Sequence, residues 1–391
     1  MYSAYIHIPF CEHRCNYCDF ITTAGMKHLI PEYVSSLNKE FRIVGAERNL
    51  SLHSIYFGGG TPSLIPLELY SDLIPALHAY FNLVEDCEIT IEVNPGTLTY
   101  PYLLGLRQLG FNRLSMGVQS MTQFDLVRLE RIHNIDDILK SYYFARKAGF
   151  NNISMDMIFS LPWQDLKSWE NSLSRAITLL PEHFSLYSLI IEPGTLFHQW
   201  YQKGLIAQQD QDLEGDMYQL AMELLNNAGY EHYEISNWAK KDIYQSYQSR
   251  HNKQYWYNQP YLGFGVGAHG YSADIRTVNV DTIPEYIRRI NQANNAEYTF
   301  PTSPVTIKQT YVDPQTQMKD FMMLGLRLVG EGLSAKVFKS RYSMTMMNVF
   351  EEEINSLIDH GLIEWERGSD PHLHLTKRGI MIANQAFMEF V

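Results

Sequence analysis

Three of the four cysteines fall within eight residues, as Cys11, Cys15 and Cys18. Thiolates clustered this way are ligands for a soft metal centre. Structural zinc takes four ligands, and His7 or His13 could supply the missing one. An iron–sulfur cube usually takes four protein thiolates. Three thiolates leave one iron open to a small molecule, as binding and catalytic metal sites do and closed structural sites do not. The cluster of cysteines therefore points to an iron–sulfur centre with an exchangeable position.

Further candidates lie at the ends of apolar runs. Gly58-Gly59-Gly60-Thr61-Pro62 follows a β-rich stretch, and such a turn frees backbone groups to approach a ligand. Glu92 stands in Ile91-Glu92-Val93, and Asp156 in Met155-Asp156-Met157. A carboxylate in an apolar strand is costly without a partner or ligand. Gln119 follows another strand-like run, and Arg131 lies twelve residues on, with the planar fork that pairs with carboxylates.

The Cys11-x-x-x-Cys15-x-Tyr17-Cys18 pattern resembles the radical S-adenosylmethionine (SAM) superfamily. Tyr5-Ile6-His7-Ile8-Pro9-Phe10-Cys11 resembles, more narrowly, the oxygen-independent coproporphyrinogen III oxidase family. The resemblance runs over nearly the whole chain. It implies a [4Fe–4S] cluster on Cys11, Cys15 and Cys18, with SAM chelating the open iron. It implies SAM contacts from Tyr5, Tyr17, Gly59, Gly60, Thr61, Glu92, Gln119, Arg131 and Asp156. The chain departs from the family pattern at Glu130 and Ser160, where glycine is usual.

Two features are similar to the haem-chaperone branch of that family rather than to the oxidase. Phe20 stands where the oxidase has a fourth cysteine, and the first strand begins almost at Met1, without the oxidase's N-terminal extension. His251-Asn252-Lys253-Gln254-Tyr255-Trp256 resembles the HNxxYW motif of that branch. The resemblance implies haem contact from His251, Asn252, Tyr255 and Trp256, with His251 a candidate axial ligand. The implied function is binding of haem and its delivery to respiratory apoproteins. A SAM-cleaving enzyme, such as the oxidase itself, is the alternative, and a zinc-binding regulator the more distant one. A transient membrane contact and the oligomeric state stay open.

These residues need elements to hold them. Short β-rich runs at Ser3–Ile8, Ser54–Phe57, Cys87–Val93, Arg113–Met116, Ile153–Ile158 and Phe184–Ile190 alternate with helical stretches. Repeated βα units imply parallel strands with right-handed crossovers. Six units, against eight in a closed barrel, predict an α/β fold: a partial (β/α)6 barrel with a C-terminal helical, winged-helix-like module. The expected organisation is a core over 1–200, an extension over 201–295 carrying the aromatic motif, and a C-terminal module over 296–391. Residues 240–275 show little periodicity, and the prolines of 295–316 suggest a linker. Gly263-Phe264-Gly265-Val266-Gly267-Ala268-His269-Gly270-Tyr271 reads as a glycine-rich turn sequence closing the pocket.

The chain has 391 residues, 45% of them hydrophobic, and 43 acidic against 31 basic side chains, a net charge of −12. That composition is globular and excludes collagen-like and wholly disordered chains. Net negative charge argues against nucleic acid as a partner. The C-terminal module, with nine basic and eleven acidic residues from 301 onward, gives no reason to except it. No apolar run is long enough to span a membrane, and the N-terminus has neither the basic nor the apolar region of a signal peptide. A reducing cytoplasm is expected, since four cysteines are too few for a disulfide scaffold.

Overall fold

The computed structural model describes all residues except 47, 208–209, 294–297 and 367. The proposed boundary at 295–296 lies outside the described residues. Six parallel strands form the centre of a twelve-stranded sheet. They are β1 (Tyr2–Ile8), β2 (Ser51–Gly59), β3 (Asn82–Val93), β4 (Arg113–Gln119), β5 (Ile153–Phe159) and β6 (His183–Ser188). Helices α1 (Ile30–Gly45), α2 (Leu67–Tyr80), α3 (Tyr100–Gln108), α4 (Gln123–Arg128), α5 (Ile135–Lys147) and α6 (Leu166–Ile177) lie between them in sequence. The six expected strands are all present. Helix α4, a short segment capped by Thr122, was not expected from the sequence.

The strands alternate sharply. One face carries Ile6, Ile8, Ile55, Phe57, Ile89, Ile91, Leu114, Met116, Met155 and Met157, all fully or nearly buried in the main core. The other face carries Tyr5, Ser54, Tyr56, Glu92, Arg113, Ser115, Ser154, Asp156 and Ser185. Because side chains alternate with period two, the apolar set packs under the helices and the polar set is left inside the curve of the sheet. The polar interior is thus a consequence of the same pattern that builds the core.

The sheet does not close. Beyond β6 it continues antiparallel through β8 (Asn237–Lys240) and β7 (Tyr230–Glu234). On the other side β1 pairs in parallel with β9 (Tyr261–Phe264), followed by β10 (His269–Ser272), β11 (Ile275–Asn279) and β12 (Thr306–Tyr311). Strand β12 falls within the stretch expected to be a linker. Its Thr306–Tyr311 side chains are mostly exposed, so an edge strand there leaves no apolar pattern to read. The 240–275 stretch is also more ordered than its composition suggests. It holds β9, β10 and helix α9 (Arg250–Trp256), which follows α7 (Leu196–Gln202) and α8 (Gln211–Asn227), is only two turns long and shows no helical stripe.

The glycine-rich turn after β9 does not close the cavity. It packs against α1, where the Gly265 N–H donates to the Glu40 carboxylate at 2.9 Å. Glu40 is fully buried and also accepts from Tyr286 at 2.7 Å and Ser303 at 3.1 Å. Burial raises its carboxyl to about 7 against these neutral donors. The unfolded chain therefore loses this proton before the folded chain does. Stability should fall as pH rises from about 4.5 to about 7, by order 3 kcal/mol. Denaturant unfolding across that range should show a slope steeper by about one proton in wild type than in Glu40→Gln, the remainder coming from other buried carboxyls such as Glu92.

A second apolar cluster, from Phe321 to Phe390, belongs to the C-terminal region. There helices such as Pro314–Gly325, Ala335–Tyr342 and Glu351–Asp359 surround a three-stranded antiparallel sheet of Leu333–Ser334, His372–Leu375 and Ile363–Glu366. The expected hairpin and helices are all there, in a winged-helix-like arrangement. Among the described residues no helix is long and apolar enough to cross a membrane.

Candidate functional site

A cavity of about 520 Å³ opens at the C-terminal ends of the central strands. Cys11, Cys15 and Cys18 border it together, on the loop that follows β1. Among the described residues no three His, Cys, Asp or Glu side chains converge as they would around one metal ion. All four cysteines are free thiols. Burial pushes the Cys11 and Cys18 thiols up from their ordinary value. Cys87 is a buried thiol in β3, raised by burial to about 12, and stands apart from the cavity as expected.

One polar chain ties the thiols to the rest of the wall. Arg131 donates to the Cys15 sulfur at 3.3 Å and to the Asn94 side-chain oxygen. Asn94 donates to Thr61 Oγ1 at 3.1 Å, and Thr61 reaches the Cys11 sulfur at 3.8 Å. The glycines fit this crowding. A Cβ on Gly60 would stand 2.7 Å from the Phe10 carbonyl and 3.0 Å from the Cys11 sulfur. Gly59 adopts φ +114°, and its N–H donates to Glu92 at 3.0 Å. Only glycine takes that backbone without strain.

Glu92 lies at the end of β3 and also accepts from Tyr56 at 2.9 Å. Burial raises its carboxyl to about 7, and the nearby Asp156 charge adds to the shift, while the Tyr56 and Gly59 donors oppose it. Asp156 accepts from Ser115 and Ser154, each at 2.8 Å. Its carboxyl is also raised by burial. Buried nitrogens of Arg131 and Arg113 have no partner of their own. Three free thiols, unpartnered guanidinium nitrogens and buried carboxylates around one cavity form a donor set that fits an iron–sulfur cluster beside a zwitterionic ligand.

The structure brings Tyr17, Gly59, Gly60, Thr61, Glu92, Gln119, Arg131, Asp156 and Asn252 to the cavity wall with the cysteines. Tyr5 stands one layer back from the wall. It is stacked behind Tyr56 with ring centres 6.2 Å apart, and its hydroxyl donates to His7 Nδ1 at 3.0 Å. Sequence reasoning missed Tyr56, Asn94, Arg113 and Ser115, which also line the cavity. The signal that would have found three of them is the polar phase of the strand alternation, since Tyr56, Arg113 and Ser115 occupy it.

The two departures from the family pattern keep the backbone that glycine would favour. Glu130 has φ +52° and Ser160 has φ +59°, both left-handed. Glu130 also pairs with His13 at 3.1 Å, beside the cysteine loop.

The aromatic motif on α9 is arranged differently from the expectation. His251 is buried, with Nδ1 3.1 Å from Ser54 Oγ and Nε2 2.9 Å from the Tyr255 hydroxyl. Burial lowers its imidazole to about 3, so the ring is neutral with both nitrogens engaged. In this arrangement neither nitrogen is presented to a haem iron. Tyr255 packs edge-on against Tyr261 at 4.7 Å, and the Arg327 guanidinium covers the Trp256 ring at 4.6 Å. Both rings thus take part in internal packing, while each residue stays partly exposed.

The Radical SAM superfamily profile matches residues 5–176, and the HemN C-terminal domain profile matches residues 312–382. A Bacillus subtilis protein named "Heme chaperone HemW" is 38% identical over 394 residues, covering 100% of this chain and 99% of its own. This chain belongs to the HemW family of radical SAM proteins. A Lactococcus lactis protein of the same name is 33% identical, covering 100% of this chain and 97% of its own. The solved coproporphyrinogen III oxidase HemN from Escherichia coli superposes with a TM-score of 0.82 at 22% identity. That match covers 99% of this chain and 89% of the oxidase, and shows the shared fold.

Proposed function

We propose that this protein is a haem chaperone that carries a [4Fe–4S] cluster and SAM and delivers haem to respiratory apoproteins in the cytoplasm. The observation that carries the reading is the joining of three free thiols to a polar cavity, in a chain similar over its whole length to proteins named haem chaperones. Cys11, Cys15 and Cys18 would hold the cluster, and its open iron would supply a coordination position for SAM. Arg131 would take the SAM carboxylate as a planar fork. Glu92, Gln119 and Asp156 would accept from its amine and ribose hydroxyls. Phe20, in the place of a fourth cysteine, lies exposed at the cavity edge and brings no ligand.

The polar interior favours one second reading, SAM cleavage on a substrate held inside the barrel. Anaerobic transfer assays separate the two. Haem-loaded protein is mixed with a haem-free cytochrome, and transfer is followed by the Soret band of the acceptor. Transfer by the cluster-containing protein, slowed when the cluster is chelated away, is expected. Full transfer without the cluster would argue against cluster-dependent delivery.

A further inference from the structure

Helix α9 stands beneath the cavity, toward the N-terminal ends of the central strands. Its first backbone N–H groups, from Arg250 and His251, donate to the Glu88 carboxylate of β3 at 3.2 and 3.1 Å. Asn252, in the next position, borders the cavity itself. His251 lies flat against Tyr56, with ring centres 5.0 Å apart and planes 26° apart. Tyr56 in turn donates to Glu92. A second line of contacts reaches the other carboxylate. Ser249, which caps α9, donates its N–H to the Tyr233 hydroxyl at 3.2 Å. Tyr233 meets His183 at 2.8 Å, His183 meets Ser154 at 2.9 Å, and Ser154 donates to Asp156.

Both cavity carboxylates are therefore held from one short helix. We infer that α9 is the floor of the SAM cavity, with Asn252 a direct contact and His251 a positioning residue that fixes Tyr56 and, through it, Glu92. The inference rests on the reading that this cavity takes SAM. It assigns the His251 motif to SAM rather than to haem ligation. Buried polar groups fix geometry only when every member is satisfied, and His251 has a partner on each nitrogen and an aromatic ring against its face.

The test is SAM binding by equilibrium dialysis to anaerobically reconstituted protein, beside haem titration by the Soret band. His251→Ala should weaken SAM binding about tenfold while haem affinity stays within about twofold. Tyr56→Phe, which keeps the stacked ring and removes the hydroxyl from Glu92, should weaken SAM binding by a similar factor. The double variant should lose less than the product of the two, because both act on one chain of contacts. His251→Phe, restoring a ring over Tyr56, should recover most of the affinity, which a general loss of folding would not allow. SAM binding unchanged in both single variants, or haem binding abolished by His251→Ala with SAM unaffected, overturns the inference alone. Absence of SAM binding in the wild-type protein overturns it together with the reading beneath it.

Discussion

Serine at any one of Cys11, Cys15 or Cys18 should leave a folded protein that no longer holds its iron–sulfur cluster. Wild-type protein reconstituted without oxygen is expected to carry about four iron and four sulfide per chain, with the broad absorption of a thiolate-bound cube. Each single Cys→Ser variant should fall below about one, because two thiolates do not retain a cube that already has one open iron. Fold stability should change little. Cys15 and Cys18 are only partly buried, and the loop that carries all three lies outside the main cluster of buried side chains. Cys87→Ser serves as the control, since Cys87 lies away from the cavity and should leave iron and sulfide content intact. Iron and sulfide assays with circular dichroism on the same samples check the result. Full cluster retention in the Cys11, Cys15 and Cys18 variants would remove these thiols as ligands.

The second large effect is expected at Arg131. Its guanidinium reaches the Cys15 sulfur, Asn94 and the Gly117 carbonyl, and so joins the cysteine loop to the ends of β3 and β4. A charge-assisted pair with a carboxylate contributes about 1.5–3 kcal/mol, or roughly 10–150-fold in affinity. Arg131→Ala should weaken SAM binding by that factor. Arg131→Lys keeps the charge but not the fork, and should recover only part of the loss. Titration of reconstituted protein with SAM measures both. An Arg131→Ala variant that binds SAM as wild type does would remove Arg131 from the site.

Much of this arrangement was legible in the residues. The cysteine spacing, the glycine turn and the lone carboxylates of Glu92 and Asp156 stood out because each is costly or improbable without a ligand. The six strands were legible because their apolar phase is nearly unbroken. Arg113 and Ser115 were not, since the polar face of a strand usually meets solvent, and Asn94 lies just past the end of β3. Only curvature of the sheet turns that face into a cavity wall, and curvature is not written in any one strand. Edge strand β12 was lost among prolines and exposed side chains. For His251 the sequence shows the motif, but burial and hydrogen bonding decide whether an imidazole is open to metal. Those depend on Ser54 and Tyr56, nearly two hundred residues away in sequence.

The most direct test of the haem-chaperone reading puts haem, SAM and reductant with the reconstituted protein in one anaerobic assay. The Soret band and the release of 5′-deoxyadenosine are followed together, with and without coproporphyrinogen. A stable haem complex that passes its haem to an acceptor, with little 5′-deoxyadenosine released, is the expected result. Rapid 5′-deoxyadenosine release with coproporphyrinogen and no stable haem complex would contradict it and identify a SAM-cleaving enzyme.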